Sequence, residues 1–161
     1  SGMALGRADT LRAATVAISV AAVGAALVSQ HVYDIMPCPW CVLQRLIFVL
    51  IAVAAGLGLF WRSRLGGRVG TLLALVLADL GAITALWQHF VAAASASCNL
   101  TFADRVMGAT GLDRALPQVF AAYASCAEAA ITLFGVPYEF GSLALFVLIN
   151  ALMLLALIKP R

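Results

Sequence analysis

The sequence predicts an all-α membrane protein, an antiparallel four-transmembrane-helix bundle with a short interfacial helix in its second outer loop. Three observations carry that expectation: the composition, four long runs nearly free of charge, and the side on which the basic residues fall. Of 161 residues, 64% are hydrophobic and 11% charged, against about 45–50% and about 25% in a soluble domain. A chain this short buries too little of its surface to hide such a surplus in a water-soluble core. Lipid is therefore the solvent. The formal net charge is +3, with basic residues in short clusters rather than along a stripe, which argues against nucleic acid as a partner. Ser1 and Gly2 ahead of Met3 read as an expression scar, leaving 3–161 as one domain.

Residues 13–30, 46–61 and 141–158 carry no charge, and 69–90 hold only Asp79 and His89. A spanning helix needs about 20 mostly apolar residues, which places spans at about 12–30, 42–61, 69–91 and 141–158. The first run is longer than the roughly 7–15 apolar residues of a signal peptide. Arg7 and Arg12 precede the first span, Arg62, Arg64 and Arg68 fill the loop after the second, and Lys159 and Arg161 follow the fourth. By the positive-inside rule these segments, and so both termini, are cytoplasmic. The outer side receives the loops at about 31–41 and 92–140, and with them Cys38, Cys41, Cys98 and Cys126. Cysteine placement and charge asymmetry are independent signals, and they agree.

Asp104, Arg105, Asp113, Arg114 and Glu128 interrupt the long outer segment too often for a fifth span. Leu112, Leu116, Val119, Phe120 and Tyr123 recur at helical spacing, which predicts a short amphipathic helix on the membrane surface. Pro117 either breaks that pattern or marks its first turn. Asp79, a mid-span carboxyl, is a functional candidate by default. It lies ten residues from His89, roughly 15 Å down the helix, too deep for chemistry at the outer edge. A structural role follows, with Asn150 at similar depth in the fourth span as its hydrogen-bond partner.

Pro37-Cys38-Pro39-Trp40-Cys41 is a C-x-x-C at the start of the second span. Such spacing serves dithiol redox chemistry or zinc. A closed zinc site commonly draws on two such knuckles, and Cys98 and Cys126 lie too far apart in sequence to form the second. No βαβ pattern surrounds the motif, which excludes a thioredoxin-like domain. Structural bridges are common among extracytoplasmic cysteines, but a C-x-x-C bridge closes too short a loop to add much chain-entropy stabilisation. Cys41 falls in the first helical turn, where unpaired N–H groups and the helix dipole favour an anion. Arg45 follows at i+4, one turn deeper on the same face. Both favour the thiolate, the reactive form. The plainer reading of Arg45 is a helix-end arginine snorkelling to the interface.

Cys38-Pro39-Trp40-Cys41-Val42-Leu43-Gln44-Arg45, Trp87-Gln88-His89, Cys98, Leu116-Pro117-Gln118-Val119-Phe120 and Ser125-Cys126-Ala127-Glu128 together resemble the DsbB family. The resemblance runs from the first span to the last. It implies a bacterial inner-membrane protein that reoxidises a DsbA-like periplasmic thiol oxidase and passes two electrons to a membrane quinone, ubiquinone or menaquinone. It implies further that Cys98 is the cysteine attacked by the partner's thiolate, that Cys126 is its disulfide mate, and that Cys38 and Cys41 form the membrane-edge pair. Cys41 then meets the quinone ring, and Arg45 and His89 belong to the quinone site. His89 also has a plainer reading, an interfacial residue beside Trp87 in the aromatic belt. Gln44 departs from relatives with an acidic residue there. By residue count alone, four cysteines allow three connectivities. Two alternatives remain beside this reading. A vitamin-K-epoxide-reductase-like enzyme carries its membrane C-x-x-C in the last span, whereas 141–158 has no cysteine; a non-enzymatic scaffold would carry structural disulfides only.

Overall fold

A computed structural model describes residues 7–33, 39–61, 63–92, 102–122, 132–133 and 136–158. Cys38, Cys98 and Cys126 lie outside the described residues, as do Arg62, Tyr123, Glu128, Lys159 and Arg161. Four helices are long and apolar enough to cross a membrane: α1 (Arg7–His31), α2 (Pro39–Phe60), α3 (Arg64–Trp87) and a last helix, Tyr138–Ile158. Between α3 and that helix come a π-helical turn (Gln88–Ala92), α4 (Phe102–Thr110), α5 (Leu112–Ala115) and α6 (Pro117–Phe120). A two-residue antiparallel pair, Thr132–Leu133 with Val136–Pro137, leads into the last helix, α7.

The first three helices start before their apolar runs do. Proline at the first position of α2 forfeits only an N–H that a helix start leaves unpaired. Ser63 caps α3, its Oγ accepting from the Gly66 N–H at 2.9 Å, one of the donors a helix N-terminus otherwise leaves unsatisfied.

The helices close a ring in which α1 packs on α2 and α7, and α3 packs on the same two. Residues from the start of α1 meet the end of α2 and the start of α3 at one end of the bundle; at the other, the end of α1 meets the start of α2. The bundle is thus antiparallel, as expected. Close approach depends on small residues, as is usual where no hydrophobic drive separates helix from lipid. A Cβ on Gly70 would lie 2.6 Å from the backbone of Gly58, so α2 and α3 touch there backbone to backbone. Deeper in the core, Phe48 of α2 stacks on Phe146 of α7 with centroids 4.1 Å apart, beside the buried Ile51, Ile149 and Met153.

Polar contacts also cross between helices, on the bundle's outer face, where Asp79 is exposed, and in its interior. Asn150 Nδ2 of α7 donates to Asp79 Oδ1 of α3, the partnership expected from their matched depth. Arg12 differs from its sequence reading. Instead of flanking the first span in water, it is buried, 3% exposed, with Nη1 donating to Asp9 Oδ1 at 2.7 Å. Its Nε donates to Thr71 Oγ1 of α3 at 2.8 Å, and that hydroxyl donates to the Gly67 carbonyl. Burying a guanidinium carries a large desolvation cost, which such partners offset. Arg12 therefore holds α1 to α3 as well as contributing to the basic side.

In the outer segment the expected helical spacing of Leu112, Leu116, Val119 and Phe120 is carried by two short helices, α5 and α6, that meet at Pro117; Tyr123 lies outside the described residues. Leu116 leaves helical geometry (φ −131°, ψ 65°) because the proline ring clashes with a helical residue before it. Pro117 then opens α6. The proline both ends one turn and starts the next. α4 was not expected at all; its Ala103 and Met107 are buried one turn apart, and the helix packs on α2.

Candidate functional site

The site forms where α2 begins. Trp40, in the first turn, is 6% exposed, wedged with ring centroids 6.2 Å from Trp87 at the end of α3 and 6.3 Å from Phe102 of α4. That aromatic wedge fixes the helix start laterally and leaves the next residue, Cys41, half-buried. Cys41 Sγ accepts a hydrogen bond from Gln88 Nε2 at 3.2 Å. Gln88 Oε1 in turn accepts from Gln44 Nε2 at 2.7 Å. Both glutamines are 3% exposed, so the chain of amides runs through protein rather than water.

Gln88 reaches the sulfur because it continues the buried stripe of α3, in step with Ala74, Ala78, Gly81 and Ala85. It is also the first residue of the π-helical turn, which widens the backbone by one residue beyond it, a feature frequent at functional sites.

Arg45 sits one turn beneath Cys41 and is 5% exposed. Its Nη1 donates to Gln30 Oε1 at the end of α1, 2.8 Å away, and to the carbonyl of Val119 in α6. A second grip on the same turn comes from His31, whose Nε2 lies 2.8 Å from the Gln118 carbonyl. The guanidinium therefore ties three elements together while holding a positive charge beneath the cysteine. Helix N-terminus, amide N–H and buried cation all favour negative charge on Cys41 Sγ.

Of the residues singled out from the sequence, the structure places Cys41 and Arg45 on one face of α2, as i,i+4 spacing requires. His89 stands in the π-turn with its ring against Phe90 (4.7 Å) and Phe140 at the start of α7 (4.4 Å). Both contacts are aromatic; the first lies within the π-turn and the second reaches α7. Sequence reasoning assigns Gln88, Gln44 and Gln30 no role. A signal for them existed: each stands at the outer end of a different span, where an amide must find a partner or cost energy.

The fold and site define a class first: a multi-pass membrane protein whose polar centre is a helix-start cysteine backed by a buried arginine. Residues 8–156 match the family model described as disulfide bond formation protein DsbB. Relatives called disulfide bond formation protein B include one from Polaromonas naphthalenivorans, 34% identical over 72% of this chain and 71% of its own. Another, from Polaromonas sp. strain JS666, is 34% identical over 81% of this chain and 79% of its own. A third, from Burkholderia pseudomallei, is 32% identical over 89% and 86%. The chain belongs to the DsbB family, and is a membrane protein of disulfide bond formation.

Proposed function

We propose that this protein reoxidises a DsbA-like periplasmic dithiol oxidase and passes the two electrons to a membrane quinone through two cysteine pairs. The observation that carries the reading is Cys41 in the first turn of α2, with the Gln88 amide on its sulfur and Arg45 buried one turn below. In this reading the partner's thiolate attacks Cys98, Cys126 leaves as thiolate, and the resulting mixed disulfide resolves to oxidised partner. The pair Cys98 and Cys126 is then reoxidised by exchange with Cys38 and Cys41, which leaves the membrane-edge pair as dithiol. A quinone supplies the terminal sink, taking two electrons and two protons to become the quinol.

This chain's residues fit such an acceptor. Cys41 offers a sulfur nucleophile at the membrane edge, where an electrophilic ring dissolved in lipid can reach it. Arg45 offers positive charge to a ring oxygen as electron density builds there. Below Arg45 an apolar groove of about 460 Å³ opens between α1 and α2, lined by Val20, Val23, Leu27, Phe48 and Val49 among others. It begins within a turn of the arginine, and its lining suits a hydrocarbon tail. The arginine clusters support the orientation, with both termini cytoplasmic and the cysteines periplasmic, in the bacterial inner membrane.

The test is anaerobic turnover of the purified protein with a reduced DsbA-like protein and a short-chain ubiquinone. One quinol should form for each pair of thiols lost. Thiol oxidation without quinol, or no dependence on quinone, would overturn the reading.

A further inference from the structure

We infer that Gln88 and Gln44 are positioning residues for Cys41: together they orient one amide N–H onto its sulfur and hold the cysteine ready as thiolate. The inference rests on the reading of Cys41 as the reacting sulfur, and it adds the device that tunes it.

The argument starts from what an amide can do. A glutamine side chain carries a donor end and an acceptor end of nearly equal size. Turned one way, Gln88 gives the sulfur an N–H; turned the other, it presents a carbonyl lone pair, which repels a thiolate. The choice between them is made by Gln44. Its Nε2 donates to Gln88 Oε1 at 2.7 Å, which keeps the oxygen of Gln88 occupied and its Nε2 on Cys41 Sγ at 3.2 Å. Reversal would set two N–H groups against each other on one side and an oxygen against sulfur on the other. Burial of both amides at 3% exposure excludes the water that could compensate a reversed amide. The geometry therefore makes Gln44 the orienting group and Gln88 the donor.

A hydrogen bond to sulfur is stronger when the sulfur is charged, so the arrangement favours the thiolate over the thiol. Ionisable groups that the elements around this end of α2 contribute are Arg45 on α2, His31 on α1, His89 in the π-turn, and Asp104 and Arg105 on α4. The substitutions below leave all of them in place.

The test uses full-length protein in detergent with Cys38, Cys98 and Cys126 changed to serine, so that iodoacetamide reports on Cys41 alone. The alkylation rate is followed from pH 5 to pH 10. Gln88→Leu keeps most of the volume and removes the donor; the rate at neutral pH should fall about tenfold, the usual scale for a hydrogen bond to a charged group. At alkaline pH, where the thiol is ionised in both proteins, the two rates should converge. Gln44→Met leaves the donor residue untouched and adds no charge, but it cannot donate to Gln88 Oε1, so the amide is free to turn over. It should lower the neutral-pH rate by a smaller factor, with convergence at high pH. Equal rates at every pH, or rates displaced by the same factor throughout, would overturn the inference, because altered access to the sulfur moves the whole profile in parallel. Should Gln88→Leu fail to fold, Gln44→Met decides alone. Quinone is absent from this assay, so a normal alkylation result beside failed quinone turnover would sink the proposed function and leave this inference standing.

Discussion

Replacing Arg45 by alanine removes two things at once, and the structure lets them be separated. The guanidinium donates from Nη1 to Gln30 Oε1 and to the Val119 carbonyl, so its loss frees the end of α1 and the α6 turn from α2. Hydrogen bonds inside membrane proteins are worth on average about 0.6 and at most about 1.7 kcal/mol. Two of them put the expected loss of stability at roughly 1–3 kcal/mol. The charge beneath Cys41 goes too. A lost charge-assisted contact costs on the order of 1.5–3 kcal/mol, or roughly tenfold to hundredfold in quinone kcat/KM. Through the grip on α6, partner exchange should fall as well, though by a smaller factor than quinone reduction. Arg45→Lys should lie between, since an ammonium keeps the charge but loses the planar fork. Stopped-flow measurement of the two half-reactions, beside unfolding in SDS, reads all three effects. Equal losses in both half-reactions would refute the quinone role and leave Arg45 as a clamp; unchanged unfolding would refute the clamp.

Asp79→Asn keeps a partner for Asn150 and should leave activity and detergent stability close to those of the unaltered protein. Asp79→Leu should cost around 1 kcal/mol in SDS unfolding; a large rise in quinone KM for Asp79→Asn at unchanged melting would contradict the structural role. Cys98→Ala should abolish oxidation of the partner protein while Cys38 and Cys41 still react with quinone, and Cys41→Ala should trap a mixed disulfide through Cys98 yet reduce no quinone. Normal turnover by Cys98→Ala would break the relay. In reduced spheroplasts a membrane-impermeant thiol reagent should label Cys98 and Cys126; labelling only after permeabilisation would invert the topology.

Hydropathy and charge made the four helices legible, because burial in lipid leaves its mark on every residue of a span. The pairing of Asp79 with Asn150 was legible too, since depth along two helices is simple arithmetic. Cys41 over Arg45 followed from i,i+4 spacing. What escaped was the partnering of polar side chains and the short local structure. Gln88 falls in step with the buried alanines of α3, but a hydropathy pattern names no partner for an amide at the end of its stripe. The buried Arg12 escaped because counting basic residues assumes that they face water. α4 escaped because only two of its side chains, Ala103 and Met107, are buried, too few to establish a period. The choice left open at Pro117, a break or a first turn, resolves as both: Leu116 leaves helical geometry and Pro117 opens α6.

The π-turn also fixes how this chain tolerates changes in length. One added residue in a helix advances everything beyond it by about 100°, so α3 and its continuation run in two phases that meet at Gln88. Up to the seam, Ala74, Ala78, Ala85 and Gln88 keep one phase and line the core; beyond it, the faces are set by the wider turn. Removing a single residue from the part of the turn that follows Gln88 would restore a regular helix and rotate everything beyond the deletion relative to α2. The amide of Gln88 would stay on Cys41, in step with Ala85, while the chain would leave the span toward the outer segment in another direction. Length here steers the outer segment as much as composition does, and alignments that slide a gap through this turn pair residues that point in different directions.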